Sequence, residues 1–234
     1  MLGMDPPELG VAQLVRLAGL FEISENRARV ALSRMVAAGE ATTNGSGRYR
    51  LSGHLVERQS RQSASRSGVR AHYSGTWLLA VVTTTGSTAE VRSHRRRALT
   101  HLRLAELREG VWLRPDNLAA WPSGDLLVDI ECMEARPGDA EALVERLWDL
   151  EDWSARANAL VAELESVDPD SPASLGPGFT LSAAVLRHLQ ADPLLPDELL
   201  PPSWPGSVLR TGYDHWDLTY RSTLAKWSSD SARR

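Results

Sequence analysis

The 234-residue chain has one cysteine, Cys132, and one lysine, Lys226. A lone thiol closes no internal disulfide, which fits a reducing compartment and a cytoplasmic protein. No apolar run approaches the ~20 residues a membrane helix needs, and the first residues lack the basic and apolar regions of a secretory signal. Metal and nucleophile signatures are missing too. The six histidines form no HExxH pair and none pairs closely with Cys132; His94 and His101, seven apart, read as surface residues of a helix. Neither a P-loop nor a nucleophile elbow is present.

With lysine nearly absent, the positive charge is arginine, and it is unevenly spread. The net charge is -4, yet residues 1–75 hold ten Arg against six Asp/Glu and are basic, whereas residues 76–234 hold sixteen Lys/Arg against twenty-four Asp/Glu. A basic amino-terminal third on an acidic body suits a DNA-contacting module joined to a regulatory one. Length and a 42% hydrophobic content allow two or three small domains.

The basic third centres on Leu20 to Leu51. Ser24 is a favourable N-cap for a helix over Glu25 to Ala38 that Gly39 ends. At about 100° per residue, Ala28, Ala31, Leu32 and Met35 share one face. Asn26, Arg27, Arg29, Val30, Ser33, Arg34 and Ala37 fill the opposite arc. Two short strands, Ala41 to Thr43 and Arg48 to Leu51, flank the hairpin turn Asn44-Gly45-Ser46-Gly47. An amphipathic helix over Pro6 to Ala18, with Asp5, Pro6 and Glu8 as N-cap, N1 and N3, would precede the turn Gly19 to Ile23. The pattern is that of a winged helix-turn-helix, although such an arginine face also serves as a solvated helix surface.

Residues 54–75 read as a polar linker whose Arg58, Arg61, Arg66 and Arg70 are solvated or meet DNA phosphates. Trp77 to Val82 is a continuous apolar run suited to a strand covered on both faces. A helix over Arg92 to Leu107, strands over Gly110 to Leu113 and Leu126 to Met133, and a helix from Asp139 follow, most of a ferredoxin-like unit. The remainder reads as helical, with a Pro- and Ser-rich break at Asp168 to Pro177. Residues 191–206, ADPLLPDELLPPSWPG, are too proline-rich for regular structure and too apolar for disorder, so they should form a packed connector. A last helix carries Trp216, Tyr220, Leu224 and Trp227.

Three separated signatures resemble the PaaX-type regulators, bacterial repressors named for control of phenylacetate degradation. The first is Ala28-Arg29-Val30-Ala31-Leu32-Ser33-Arg34-Met35 with Gly39, then Gly47-Arg48 and Tyr49-Arg50-Leu51-Ser52. The second is Trp77 followed by Gly110-Val111-Trp112-Leu113-Arg114-Pro115. The third is Asp192-Pro193, Leu195-Pro196, Leu199-Leu200-Pro201 and Trp204-Pro205-Gly206. The resemblance implies an α+β protein with an amino-terminal winged helix-turn-helix (1–53), a linker (54–75), a middle ferredoxin-like, Cas2-like domain (76–150) and a helical carboxy-terminal domain (151–234). It implies a homodimeric repressor of a palindromic or pseudo-palindromic double-stranded DNA operator, released by phenylacetyl-CoA or a related acyl-CoA thioester. By the same resemblance Arg29, Ser33 and Arg34 match the recognition helix, and Arg48, Tyr49 and Arg50 the wing. Family members usually begin with a further helix where this chain has only Met1 to Asp5. The expectation is a start further upstream.

The candidate DNA-contacting set is therefore Ser24, Asn26, Arg27, Arg29, Val30, Ser33, Arg34, Arg48, Tyr49 and Arg50; arginine can read guanine and asparagine adenine in the major groove. Arg92, Arg95, Arg96 and Arg97 are candidates for the effector's phosphates. The tryptophans at 204, 216 and 227 serve packing more readily than an aryl pocket. Two other readings stand beside this one. A chain that senses effector or heterodimerises without binding DNA is one. A Cas2-like metal-dependent nuclease is the other, disfavoured because the first strand of the middle domain ends in Val82-Thr83-Thr84-Thr85, with no carboxylate to ligate metal.

Overall fold

The computed structural model describes residues 8–56, 66, 68, 70–124 and 128–230. The fold is α+β, and the chain divides into two compact units. One comprises Met1–Ser67, Arg156–Ala191 and Pro205–Arg234; the other comprises Gly68–Ala155 and Asp192–Trp204.

The first unit opens with β1 (Glu8–Gly10), α1 (Val11–Gly19), α2 (Glu25–Ala37), β2 (Ala41–Thr43) and β3 (Arg48–Leu51). The expected helix over Pro6 to Ala18 is corrected here. Asp5 and Pro6 lie outside the described residues, and Glu8 is in a strand, not at N3. Residues 8–10 pair antiparallel with β3, Glu8 opposite Arg50 and Gly10 opposite Arg48, so the strand order is β1-β3-β2. Gly10 is the N-cap, its N–H donating to Gln13 Oε1 at 3.2 Å. The α2 boundaries agree with expectation at Glu25 and Gly39. Gly39 has φ +70°, and the N–H groups of Gly39 and Glu40 donate back to Val36 O and Met35 O, the left-handed cap that glycine favours. Of the inward face, Ala28 and Leu32 are buried, whereas Ala31 is exposed.

The rest of that unit is helical: the later part of α5 (Leu150–Ser166), then α6 (Leu175–Gln190) and α7 (Gly206–Asp230). The break expected at residues 168–177 is shorter, since α6 starts at Leu175 after a 3-10 turn at Pro172–Ser174. Helices α6 and α7 approach closely where Trp216 and Tyr220 stack at 4.8 Å and face Gly178. The Tyr220 hydroxyl donates to Leu175 O at 2.7 Å, and burial pushes this phenol up to about 12.

The second unit holds β4 (Trp77–Val82), α3 (Ala89–His101), β5 (Ala105–Arg108), β6 (Val111–Pro115), β7 (Ile130–Ala135) and α4 (Ala140–Leu147). The four strands form an antiparallel sheet in the order β5-β6-β4-β7. Both faces of β4 are covered, as its apolar run required. Leu78 and Ala80 pack with Leu99, Leu104, Trp112 and Ile130, while Trp77 packs with Leu113, Val144 and Leu195. The helix expected to run to Leu107 ends at His101, and residues 105–108 form an additional strand. Arg103 takes φ +66°, and the N–H groups of Arg103 and Leu104 donate to Thr100 O and Leu99 O. This is the same kind of cap as at Gly39, built without glycine. The strand expected over Leu126 to Met133 runs instead over Ile130–Ala135; residues 125–127 lie outside the described residues.

The proline-rich connector is packed, with Asp192 to Pro196 buried. Asn117 Nδ2 donates to Leu194 O at 2.8 Å, and Arg70 Nη1 donates to Leu195 O at 2.6 Å. Buried Arg114 holds the loop after β6 by donating to Pro115 O, Leu118 O and Ala120 O. Arg70 and Arg66 are thus structural. Arg66 bonds Asp214 and, at 2.7 Å, the buried Asp217; Arg58 and Arg61 lie outside the described residues.

A Cβ at Gly178 would lie 2.7 Å from Tyr220 Cε2 and 3.0 Å from Trp216 Cη2. Gly178→Ala is therefore expected to destabilise the protein by about 1–3 kcal/mol, whereas Gly212→Ala, whose Cβ meets nothing within 4 Å, should stabilise α7 by up to ~1 kcal/mol. Urea midpoints of the two variants read this contrast; equal midpoints would refute it.

Candidate nucleic-acid interface

Helix α2 and the β2–β3 hairpin carry the candidate contact residues. Because Ala28 and Leu32 turn inward, the helical period sends Asn26, Arg27, Arg29, Ser33 and Arg34 to solvent, and all are exposed. Val30 is 44% exposed on the same face, an apolar group suited to a thymine methyl. Ser24 is the N-cap in extended geometry, but its side chain makes no capping bond and is exposed. Ser33 Oγ donates to Arg29 O at 3.1 Å.

The arginines are not electrostatically equivalent. Arg29 pairs with Glu25 at 2.8 Å, one turn back. Arg27 and Arg34 have no side-chain partner among the described residues. On β3, residues 48 and 50 share one face and Tyr49 the other. Arg48 and Arg50 converge on Glu8, at 2.5 Å and 2.7 Å. Half-buried Tyr49 stands opposite Leu9 and Thr43, so it is not grouped with the arginines beside it in sequence. The turn is fixed by Asn44 Oδ1, which accepts from Ser46 N at 3.2 Å and from Ser46 Oγ at 2.7 Å. Gly45 and Gly47 sit at φ +75° and +74°.

Glu8 is the residue that sequence reasoning misplaced. Hydrogen bonds from Arg48 and Arg50 hold its carboxyl below the usual carboxylate range. The sign of the linkage follows: a depressed folded-state pKa contributes stability above the ordinary value near 4.5, lost as pH falls below it. At neutral pH the clamp is fully charged.

The arginines proposed for the effector separate. Arg92, Arg95 and Arg96 line a cavity at the start of α3, joined by Arg108, while Arg97 does not reach it and donates to Ser93 O at 3.3 Å. The three tryptophans are engaged in packing. Trp204 stacks on Trp153 at 4.3 Å, Trp216 on Tyr220, and the Trp227 ring lies 3.8 Å below the Arg16 guanidinium. Among the described residues, no three His, Cys, Asp or Glu side chains converge as metal ligands, and no helix is long and apolar enough to cross a membrane.

A two-unit α+β protein with an arginine-bearing helix and hairpin at its amino terminus is thus defined by geometry alone. Residues 1–55 match the PaaX-like protein model, and residues 148–228 match the PaaX-like protein C-terminal domain. The chain belongs to the PaaX-like family. Among solved structures it is similar to uncharacterized protein Rv0674 from Mycobacterium tuberculosis. The identity is 35% and the TM-score 0.77, over 99% of this chain and 94% of that one. No curated protein matches.

Removing the Glu8 charge should release two guanidinium groups to external anions. Glu8→Gln is expected to elute from heparin at higher salt than the parent protein at pH 7, with the folded state retained. Identical elution would mean that the clamp does not limit access to Arg48 and Arg50.

Proposed function

We propose that this chain is a DNA-binding transcriptional regulator, a repressor acting as a cytoplasmic homodimer. In this reading residues 8–51 are a winged helix-turn-helix, with α2 the recognition helix and the β2–β3 hairpin the wing. The 77–147 region is a ferredoxin-like, Cas2-like domain, and residues 151–230 are the helical domain. The observation that carries the reading is the exposure of Asn26, Arg27, Arg29, Val30, Ser33 and Arg34 as one face of α2, over buried Ala28 and Leu32. A helix of about this length fits the major groove, where Arg34 and Arg27 can donate in pairs to guanine O6 and N7 and Asn26 can read adenine. A two-fold dimer would then read a palindromic or pseudo-palindromic operator. Family membership supports release by an aryl-acetyl-CoA thioester such as phenylacetyl-CoA, and a role as regulator rather than enzyme.

One observation favours a second reading, a family member that senses effector or heterodimerises without binding DNA. Glu25 and Glu8 occupy Arg29, Arg48 and Arg50, three of the five arginines in the candidate interface.

A gel shift with DNA from the region upstream of its own gene, with and without phenylacetyl-CoA and in the presence of Mg2+, tests these readings together. Expected are a retarded complex, its loss on adding the thioester, and no cleavage. Arg34→Ala should weaken the complex by about 1–3 kcal/mol if Arg34 reads a base, or lower the salt slope by about one if it meets a phosphate. No complex with any upstream fragment would favour the second reading, and Mg2+-dependent cleavage would overturn both.

A further inference from the structure

The cavity that receives Arg92, Arg95 and Arg96 has a volume of about 820 Å3 and lies wholly within the Gly68–Ala155 unit. Its walls are the loop after β4, the first turns of α3, and the β5–β6 hairpin. Arg108 adds a fourth guanidinium from the other side. Two carboxylates, Glu106 and Glu109, offset part of this charge, and Glu106 is committed to Arg96 at 2.5 Å. Arg92 Nη1 donates to Ser87 O at 2.5 Å, leaving its charge uncompensated.

Arg95 is the unusual member. Its side chain is only 12% exposed, yet its one hydrogen bond among the described residues is a 3.3 Å contact to Thr84 Oγ1, and Asp129 stands off at 3.8 Å. A guanidinium carries five donors, and burying it with so few partners is costly unless something else supplies acceptors. Arg108 has no side-chain partner among the described residues. Hydroxyls of Thr84, Thr85, Ser87 and Ser93 face the same space, and the buried Trp112 ring, 5.7 Å from Arg96, closes it with Val82.

We infer that this cavity binds a ligand with two or more phosphate groups, of the nucleoside pyrophosphate class. Arg95 holds one phosphate at the covered end, and Arg92 and Arg108 meet the next at the open rim. Guanidinium groups match phosphate oxygens in geometry and charge. Three cations without a carboxylate at hydrogen-bond distance exceed what a monocarboxylate would neutralise. The volume falls in the range of small-molecule sites and is far larger than orthophosphate needs. The inference deepens the effector reading, resting on it for the thioester but not for the phosphates.

Calorimetric titration of the full chain with CoA, ADP and pyrophosphate is the test, run beside Arg95→Ala, Arg108→Gln and Arg97→Gln. CoA and ADP are expected to bind the parent protein, about tenfold more weakly to Arg95→Ala, and at least about threefold more weakly to Arg108→Gln. Arg97→Gln, altered on the same helix but outside the cavity, should bind as the parent does. If Arg95→Ala fails to fold, exposed Arg108 decides the matter. The inference is overturned if no probe binds, or if Arg97→Gln loses as much affinity as Arg108→Gln. The two readings also fail separately. Cavity-dependent binding of ADP and CoA with DNA complexes unmoved by phenylacetyl-CoA would sink the effector reading alone. Release of DNA by the thioester, equal in parent and Arg108→Gln, would sink this site alone.

Discussion

The amino-terminal elements have a small core of their own, and contacts from the rest of the first unit extend it. Helix α1 buries no residue fully, α2 buries Ala28 and Leu32, and the three strands add Leu9, Ala41 and Leu51. That is a small buried core for about forty residues. The carboxy-terminal helices of the same unit add contacts to it. The Arg16 guanidinium covers the Trp227 ring, and Phe21, in the turn between α1 and α2, meets Phe179 edge-on at 5.3 Å. These contacts exist because α6 and α7 lie close enough to present Phe179 and Trp227, and that approach depends on the missing side chain at Gly178. A residue far along the chain from α2 therefore bears on the stability of the elements around α2.

Electrostatics imposes the second constraint. The β1 strand forms in part because Glu8 meets two guanidinium groups on the facing strand, a cross-strand arrangement that a helix over the same residues would forfeit. The same bonds that order the hairpin lower its free positive charge. Any polyanion that binds there must compete with a carboxylate already in place, and the exchange replaces one charge-assisted pair with another instead of creating one from solvated groups. Arg27 and Arg34 face no such competition, so the discriminating part of an anion contact falls on α2.

How legible this was from sequence depended on whether a structural signal carried its usual residue. The cap ending α2 uses Gly39 and the hairpin turn uses Asn44 and Gly45, and both could be read directly. The cap ending α3 has the same hydrogen bonds but places Arg103 in the left-handed position, and without glycine nothing in the local pattern ends the helix before strand β5. The Trp77 to Val82 run identified a strand covered on both faces because burial on two sides leaves no polar alternation. The Glu8 clamp was not legible, since forty residues separate it from Arg48 and local pattern fitted a helix N-terminus equally well. Among the four clustered arginines, sequence could not separate Arg97 from its neighbours; the helical period and the position of β5 do that, and bring in Arg108.

A ligand held by the second unit can influence DNA contacts only through an element that has different free energies in two states, and the coupling must match its differential affinity for them. Topology narrows where such an element can be. The chain passes between the units at 67–68, 155–156, 191–192 and 204–205. The second of these lies inside α5, a continuous helix from Leu150 to Ser166, and a helix transmits a displacement along its axis more faithfully than a loop does. The third leads from α6, whose Phe179 supports the turn before α2, into the buried Asp192 to Pro196 segment. Asp192 Oδ1 accepts from Leu194 N at 2.8 Å, and Leu194 itself sits at φ +55°. Strained backbone in a fully packed segment tolerates discrete alternatives better than graded deformation. Leu195 of that segment packs with Trp77, Leu113 and Val144, so a rearrangement of the connector would be felt in the core of the second unit.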